Sequence, residues 1–397
     1  MVRIAALTCL MLALLAPAAS AAGPAATARA LAAQMRWAGP ASGALAIDLG
    51  SGETIYTRRA DTRRMPASVQ KLYTSVAALR RLGPGARLGT SVLAATAPDA
   101  AGIVQGDLYL RGGGDPTFDT SAGRRLARQV ARAGVAGVTG RVRGDESAFD
   151  GRRGVPSSGF RLTSDVGSLS ALTFNRGRTG LSSPYWQRSP ARFAAAAFAK
   201  QLRVAGVDVR RGVSTGVTPV DATLVSEWPS ASVAELVRQM NPPSDNFMAE
   251  TLVKVLGARF GTSGSTSAGA RVVRGALGEI GVAPQVIDGS GLSRRDRTSP
   301  LEVVTMLEAM QGDAFFTGSL AVAGRTGTLA YRMRGSSAQD RCRAKTGTLH
   351  DVSALAGYCS SPAGATVAFA FLMNHVSPYG ARILQDRMAG ALARYTP

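Results

Sequence analysis

Apolar residues recur along this chain in two rhythms, and the rhythm changes twice. Residues 44–49 alternate apolar and small side chains and stop at Gly50–Ser51–Gly52, and residues 54–56 resume, which predicts a β-hairpin. Leu72, Val76 and Leu79 then fall at helical spacing behind Pro66–Ala67–Ser68. A helix therefore opens near Ser68 and runs to about Leu82, where Gly83–Pro84–Gly85 stops it. From about residue 88 short strand-like runs take over, at 91–94, 106–110, 137–143 and 212–225. Two helical stretches interrupt them, 124–133 and the alanine-rich 191–204, while 150–190 has little periodicity. Helical spacing returns at 232–240, again behind Ser244–Asp245–Asn246, at 268–280, and behind Ser299–Pro300 to about Met310. Three consecutive strand-like runs, 341–349, 353–359 and 366–373, precede a last helix at 381–395.

This order predicts an α/β (α+β) fold, an antiparallel sheet flanked by helices. Residues 22–87 and 226–397 form one discontinuous domain, and 88–225 an inserted, mostly β region of one or two subdomains. Front and back strands share one sheet whose edges come from distant sequence. If 341–349 pairs with 353–359 through a turn near His350–Asp351, Cys342 falls opposite Cys359, and a cross-strand disulfide is geometrically possible. The compartment agrees. Arg3, an apolar run over 4–15 and Ala19–Ser20–Ala21 read as a signal peptide over 1–21, with Cys9 inside it. The mature protein is expected outside the cytoplasm, in a periplasm or other extracytoplasmic space, where a disulfide persists.

Charge narrows the partners. Lys and Arg number 46 against 26 Asp and Glu, a formal net charge of +20. The arginines are spread along the chain without a dense run or interleaved aromatics, so a nucleic-acid footprint is not expected. Attraction to an anionic envelope polymer or membrane surface is the better reading, beside an arginine-rich composition with no specific role. No metal or organic cofactor is implied.

Three short motifs carry the chemistry. Ser68 and Lys71 lie three apart, on one helix face, so the amine can reach the hydroxyl. A serine hydroxyl needs a base, and a lysine kept neutral by burial or positive neighbours can be one. Alone, this pair is better explained by a helix start with a solvated lysine. The order Ser68-x-x-Lys71, Ser244–Asp245–Asn246, Lys345–Thr346–Gly347–Thr348 is far more specific, being the signature of penicillin-binding proteins and class A β-lactamases. In it Ser68 is acylated and Lys71 takes its proton. Ser244 passes a proton to the leaving amine, and Asn246 holds Lys71 and a substrate amide. Lys345, on a strand edge, and Thr346 face a substrate carboxylate, Gly347 lets substrate pass close to the backbone, and the amides of Ser68 and Thr348 form an oxyanion hole. Arg325–Thr326–Gly327–Thr328–Leu329 nearly repeats the third motif but lacks its lysine and strand context. With only His350 and His375 and no G-x-S-x-G elbow, a Ser–His–Asp site is disfavoured. Arg111–Gly112–Gly113–Gly114–Asp115–Pro116 reads as a turn; no helix with a lysine follows to make it a phosphate loop.

From about Ala44 to its end the chain resembles the class C low-molecular-mass penicillin-binding proteins, the D-alanyl-D-alanine carboxypeptidase/endopeptidase family. The resemblance rests on Pro66–Ala67–Ser68 with Lys71–Leu72, Gly112–Pro116, the Asp288–Arg294 loop, Lys345–Leu349 with Leu355–Tyr358, and an insertion between the first two motifs. It implies a β-lactamase/transpeptidase-like domain, a D-Ala-D-Ala peptide of peptidoglycan as substrate, and covalent capture of β-lactam antibiotics. It also implies that Arg294 binds the side-chain carboxylate of a diaminopimelate and that Asp145, in Asp145-x-Ser147-x-Phe149, binds its amine. His350 stands at the edge of that pocket, where relatives often carry a polar amide. A class A β-lactamase carries a deacylating glutamate in the interval between the motifs, yet no Glu occurs between Glu146 and Glu227. The alternatives are a β-lactamase, which would turn penicillin over, and a non-catalytic peptidoglycan-binding envelope protein.

Overall fold

The computed structural model describes residues 21–180 and 183–397; the expected signal peptide lies almost entirely outside the described residues. A six-stranded antiparallel sheet organises the catalytic part. Its order is Ala321–Val322, Cys342–Leu349, Val352–Ser360, Thr366–Asn374, Gly43–Asp48, Thr54–Arg58. The N-terminal hairpin thus zips onto the C-terminal meander, with Leu45 opposite Ala370.

Both faces of this sheet are covered, and the alternation along Thr366–Asn374 shows how. Ala368, Ala370 and Leu372 join Leu72, Val76, Val273 and Leu307 on one side, under the helices Gln70–Arg81, Thr266–Gly278 and Pro300–Met310. Val367, Phe369, Phe371 and Met373 join Leu31, Met35, Met388 and Leu392 on the other, under the helices Pro24–Met35 and Pro378–Leu392. At mid-strand Ala368 and Ala370 face the crowded helical layer, and Phe369 and Phe371 the thinner one. Phe369 and Phe371, both fully buried, each contribute on the order of 2–3 kcal/mol. The helix Pro24–Met35 had no counterpart in the sequence reading: six of its twelve residues are alanine, so its apolar stripe hardly contrasts with its other face. Cys342 and Cys359 are directly opposed across neighbouring strands and joined by a disulfide.

The insert is less purely β than expected. Its five-stranded sheet runs Thr223–Ser232, Arg87–Ala94, Leu108–Gly112, Val142–Asp145, Val213–Thr215, and its last three strands are parallel. Parallel neighbours need crossovers, and the helices Thr120–Arg132 and Pro190–Val204 supply them, burying Leu126, Val130, Phe198 and Leu202 against Leu108, Leu110 and Val142. The boundary also moves. Arg87 pairs with Ser232, so the insert leaves and rejoins the catalytic part at one point, past residue 225.

Candidate active site

Ser68 sits in a 3-10 turn, Ala67–Val69, that runs straight into the helix Gln70–Arg81. Ala67 has a φ of +46°, in the left-handed region that disfavours a non-glycine residue by about 1–2 kcal/mol. Packing holds it there: Gly291 lies against the Ala67 carbonyl, where any side chain would collide. Lys71 is fully buried one turn on. Its Nζ donates to Ser68 Oγ at 2.8 Å, to Asn246 Oδ1 at 2.6 Å and to the Ser290 carbonyl at 2.7 Å, which uses all three donors of an ammonium. Burial pulls its pKa down to about 8, against the opposing field of Asp288, Glu250, Asp245 and Asp296.

The second motif arrives on a tight turn. Asn241 Nδ2 donates to Ser75 Oγ and Ser319 Oγ, both at 2.9 Å, and ties the turn to the Lys71 helix. Ser244 has a φ of +64°, and among the described residues its hydroxyl makes no hydrogen bond. Asp245 caps the helix Asn246–Phe260 by accepting from Met248 N, and it pairs with Arg176 of the insert. Asn246 therefore starts that helix with its carbonyl on Lys71 and its Nδ2 on the Asp165 carbonyl at 3.0 Å.

The third motif lies on the strand Cys342–Leu349, the second in the sheet's order. Its outer neighbour pairs only with Arg343 and Ala344, so the edge stays open from Lys345 onward among the described residues. Gly347 serves the protein's own packing: a Cβ there would stand 2.5 Å from Pro66 O and 3.1 Å from Ser68 N. The missing side chain is what lets this strand reach the Ser68 turn. Lys345 is fully buried and donates to Thr346 O at 3.0 Å. Burial, and then the charge of Lys71, hold its pKa far below the usual lysine range. A carboxylate arriving nearby would reverse that shift. Thr346 Oγ1 donates to Thr328 Oγ1 at 2.8 Å, and Thr348 is exposed beside Arg382.

Sequence reasoning missed the support beneath Lys71. Glu250 Oε1 accepts from Gly289 N and Ser290 N, Asp288 accepts from Gly291 N and Ser293 N, and Asp296 Oδ1 accepts from Ile287 N. These buried carboxylates shape the loop whose Ser290 carbonyl receives Lys71. Burial raises all three, with Glu250 pushed up to about 8 and Asp296, next to Asp288, well above the carboxylate range. One signal was available: Glu250 directly follows the apolar stretch Phe247–Ala249 inside a helical run, a position that asks for a buried partner.

A cleft of about 770 Å³ opens beside this centre without including Ser68 itself. Arg161 and Asp165 of the insert face Leu292, Arg294, Arg295 and His350 across it. Arg294 and the exposed His350 both line this cleft, and Asp351 takes Arg294 Nη1 at 2.7 Å and Nη2 at 3.0 Å. Asp145 does not join them. It is buried under the insert, where Oδ2 accepts from Thr218 N at 2.8 Å and Thr218 Oγ1 at 2.6 Å, and Oδ1 from Ser147 N at 2.9 Å. Burial pushes its pKa up, but these hydrogen bonds outweigh it and hold the carboxyl below its usual range. Such a saturated group braces a strand end; the carboxylate that does face the cleft is Asp165.

Fold and chemistry together define a serine-type peptidase on a transpeptidase-like scaffold. The chain belongs to the D-Ala-D-Ala carboxypeptidase 3 (S13) family, whose model matches residues 25–169 and 173–395. It is similar to the D-alanyl-D-alanine carboxypeptidase of Actinomadura sp. (strain R39), with 32% identity over 90% of this chain and 82% of that protein. It is also similar to carboxypeptidase DacB of Mycolicibacterium smegmatis, with 32% identity over 87% and 78%. Among solved structures, penicillin binding protein 4 (dacB) from Haemophilus influenzae superposes with a TM-score of 0.78, at 20% identity over 90% of this chain and 97% of that one.

Proposed function

We propose that the protein hydrolyses the D-Ala peptide bond of peptidoglycan stem peptides through an acyl-enzyme on Ser68. The observation that carries this is the 2.8 Å contact between Lys71 Nζ and Ser68 Oγ, on a lysine held near pKa 8. Neutral Lys71 takes the Oγ proton as Oγ bonds to the scissile carbonyl carbon. The C–N bond breaks, and the amine leaves with a proton relayed through Ser244, whose hydroxyl is unengaged. Water then attacks the ester and Ser68 recovers its proton. The amides of Ser68 and Thr348 stabilise the oxyanion, and Lys345 and Thr346 meet the substrate's terminal carboxylate. The side cleft receives the stem's third residue. Arg294 keeps donors beyond the two that Asp351 occupies, and Asp165 replaces Asp145 as the partner for an amine. This substrate places the protein outside the cytoplasm, which agrees with the signal peptide expected over 1–21.

Labelled penicillin followed by mass spectrometry is the direct test. A stable adduct on Ser68 in the wild type, absent from Ser68→Ala, is expected; rapid release of hydrolysed drug would mean a β-lactamase instead. Digestion of muropeptides separates terminal D-Ala release from dimer cleavage, and release of neither would mean a binding protein. The base must be neutral. The acylation rate therefore rises about tenfold per pH unit below the pKa of Lys71 and levels above about 8. A flat profile from pH 6 to pH 9 (about those limits) would remove Lys71 from the role.

A further inference from the structure

We propose that the protein grips its substrate as a polymer, through a second basic cleft that binds the carboxylates of stem peptides other than the one being cut. This rests on the peptidoglycan reading above. The second cleft, of about 530 Å³, shares Pro156 and Ile287 with the active-site cleft, so the two form one trough along the seam between insert and catalytic part.

Three exposed arginines line it. Arg152 lies 4.1 Å over the Phe160 ring, Arg271 is tethered to Thr262 Oγ1 at 3.1 Å, and Arg274 to the Val286 carbonyl at 2.8 Å. Each anchor fixes the side chain yet leaves guanidinium donors over, and none of the three has an ion-pair partner among the described residues. The single carboxylate here, Asp150, is committed to the buried Lys254 at 2.5 Å. Arg161 and Arg295 continue the positive lining on the active-site side, likewise without an ion pair, against Asp165 alone. The N-terminal end of the helix Thr266–Gly278 opens on the second cleft and adds its partial positive charge. In the same wall Thr266 is 2% exposed, and its hydroxyl has no hydrogen-bond partner among the described residues.

Planar guanidinium forks select carboxylates, and successive stem peptides present carboxylates at intervals along a strand. A concave trough continuous with the active site suits that chain; a flat anionic bilayer could not enter it.

The test uses the full chain carrying Ser68→Ala, so that nothing is cut, and measures its sedimentation with isolated sacculi. Adding Arg152→Glu, Arg271→Glu and Arg274→Glu together is expected to weaken binding roughly tenfold. Going from about 0.1 M to about 1 M salt, which shortens screening from about 10 Å to about 3 Å, should release the protein with native arginines and change little for the triple variant. With Ser68 restored, the triple variant keeps wild-type penicillin acylation and D-Ala release from a soluble pentapeptide but loses rate on sacculi. The Arg→Gln triple variant carries the same test if the Glu triple misfolds by circular dichroism. Undiminished sacculus binding by a folded triple variant overturns the proposal, as does a loss confined to phosphatidylglycerol vesicles. Failure of wild-type Ser68 to acylate would sink the active-site reading while leaving the binding result standing.

Discussion

Thr–Gly–Thr–Leu occurs twice in this chain, at 326–329 and at 346–349, each behind a basic residue, and the two copies fold differently. The second is extended strand, buried from Ala344 to Gly347 and paired along its length with Val352–Ser360. The first is a 3-10 turn, Gly327–Leu329, with Gly327 at φ +53°. The pattern around each copy decides between them: one continues into a hairpin of alternating residues, the other is caught by the Pro242 carbonyl, which accepts from Thr328 N at 2.9 Å. The copies then touch, Thr346 Oγ1 on Thr328 Oγ1. The turn copy thereby clamps the second motif's turn to the third motif's strand. A near-repeat that looked like a decoy is a structural bridge between two parts of the site.

Substitutions at matched positions separate the roles. The largest effect is expected at the basic residue of the strand copy. Lys345→Ala should slow penicillin acylation by roughly a hundredfold or more, through lost charge at the substrate carboxylate; a change under threefold would dismiss that role. Next come the glycines. Gly347→Ala drives a methyl onto Pro66 O and Ser68 N and should cost about 1–3 kcal/mol together with most of the acylation rate. Gly327→Ala collides with Pro242 and sits at positive φ, so a similar stability loss is expected with a smaller rate loss. Thermal melts paired with acylation kinetics would show whether the two losses divide that way. Thr328→Val strands the buried Thr346 hydroxyl for about 1–3 kcal/mol, and Thr328→Ser should restore it; equal melting of all three proteins would dissolve the bridge. The smallest effect belongs to Arg325→Ala. Its pair with Asp340 is more than half exposed on both sides, so water and salt screen it and essentially no change in melting or in acylation is expected.

The insert offered less to a reader of its sequence than the catalytic part did. Its strands are two to ten residues long, and the parallel ones lack the clean alternation of the final meander. Asp145 was drawn towards the substrate by a short local pattern, but Thr218, far along the chain, claims its carboxylate. Asp165, on the irregular loop that does reach the cleft, has no periodic context that would single it out. Glu250, Asp288 and Asp296 are spaced across the catalytic half and become a cluster only where the helix Asn246–Phe260 meets the loop behind it.

Ser68, Lys71, Asn246 and Lys345 were legible because their chemistry depends on residue type and order, and the three-residue spacing of the first motif already implies a shared helix face. The sheet's composition from both chain ends, and the Cys342–Cys359 register, followed from alternation and small-number geometry. Only the folded chain decided which charges are buried, which carbonyls receive Lys71 and which carboxylate lines the cleft. Burial and field depend on every neighbour within several ångströms, and most of those neighbours are remote along the polypeptide.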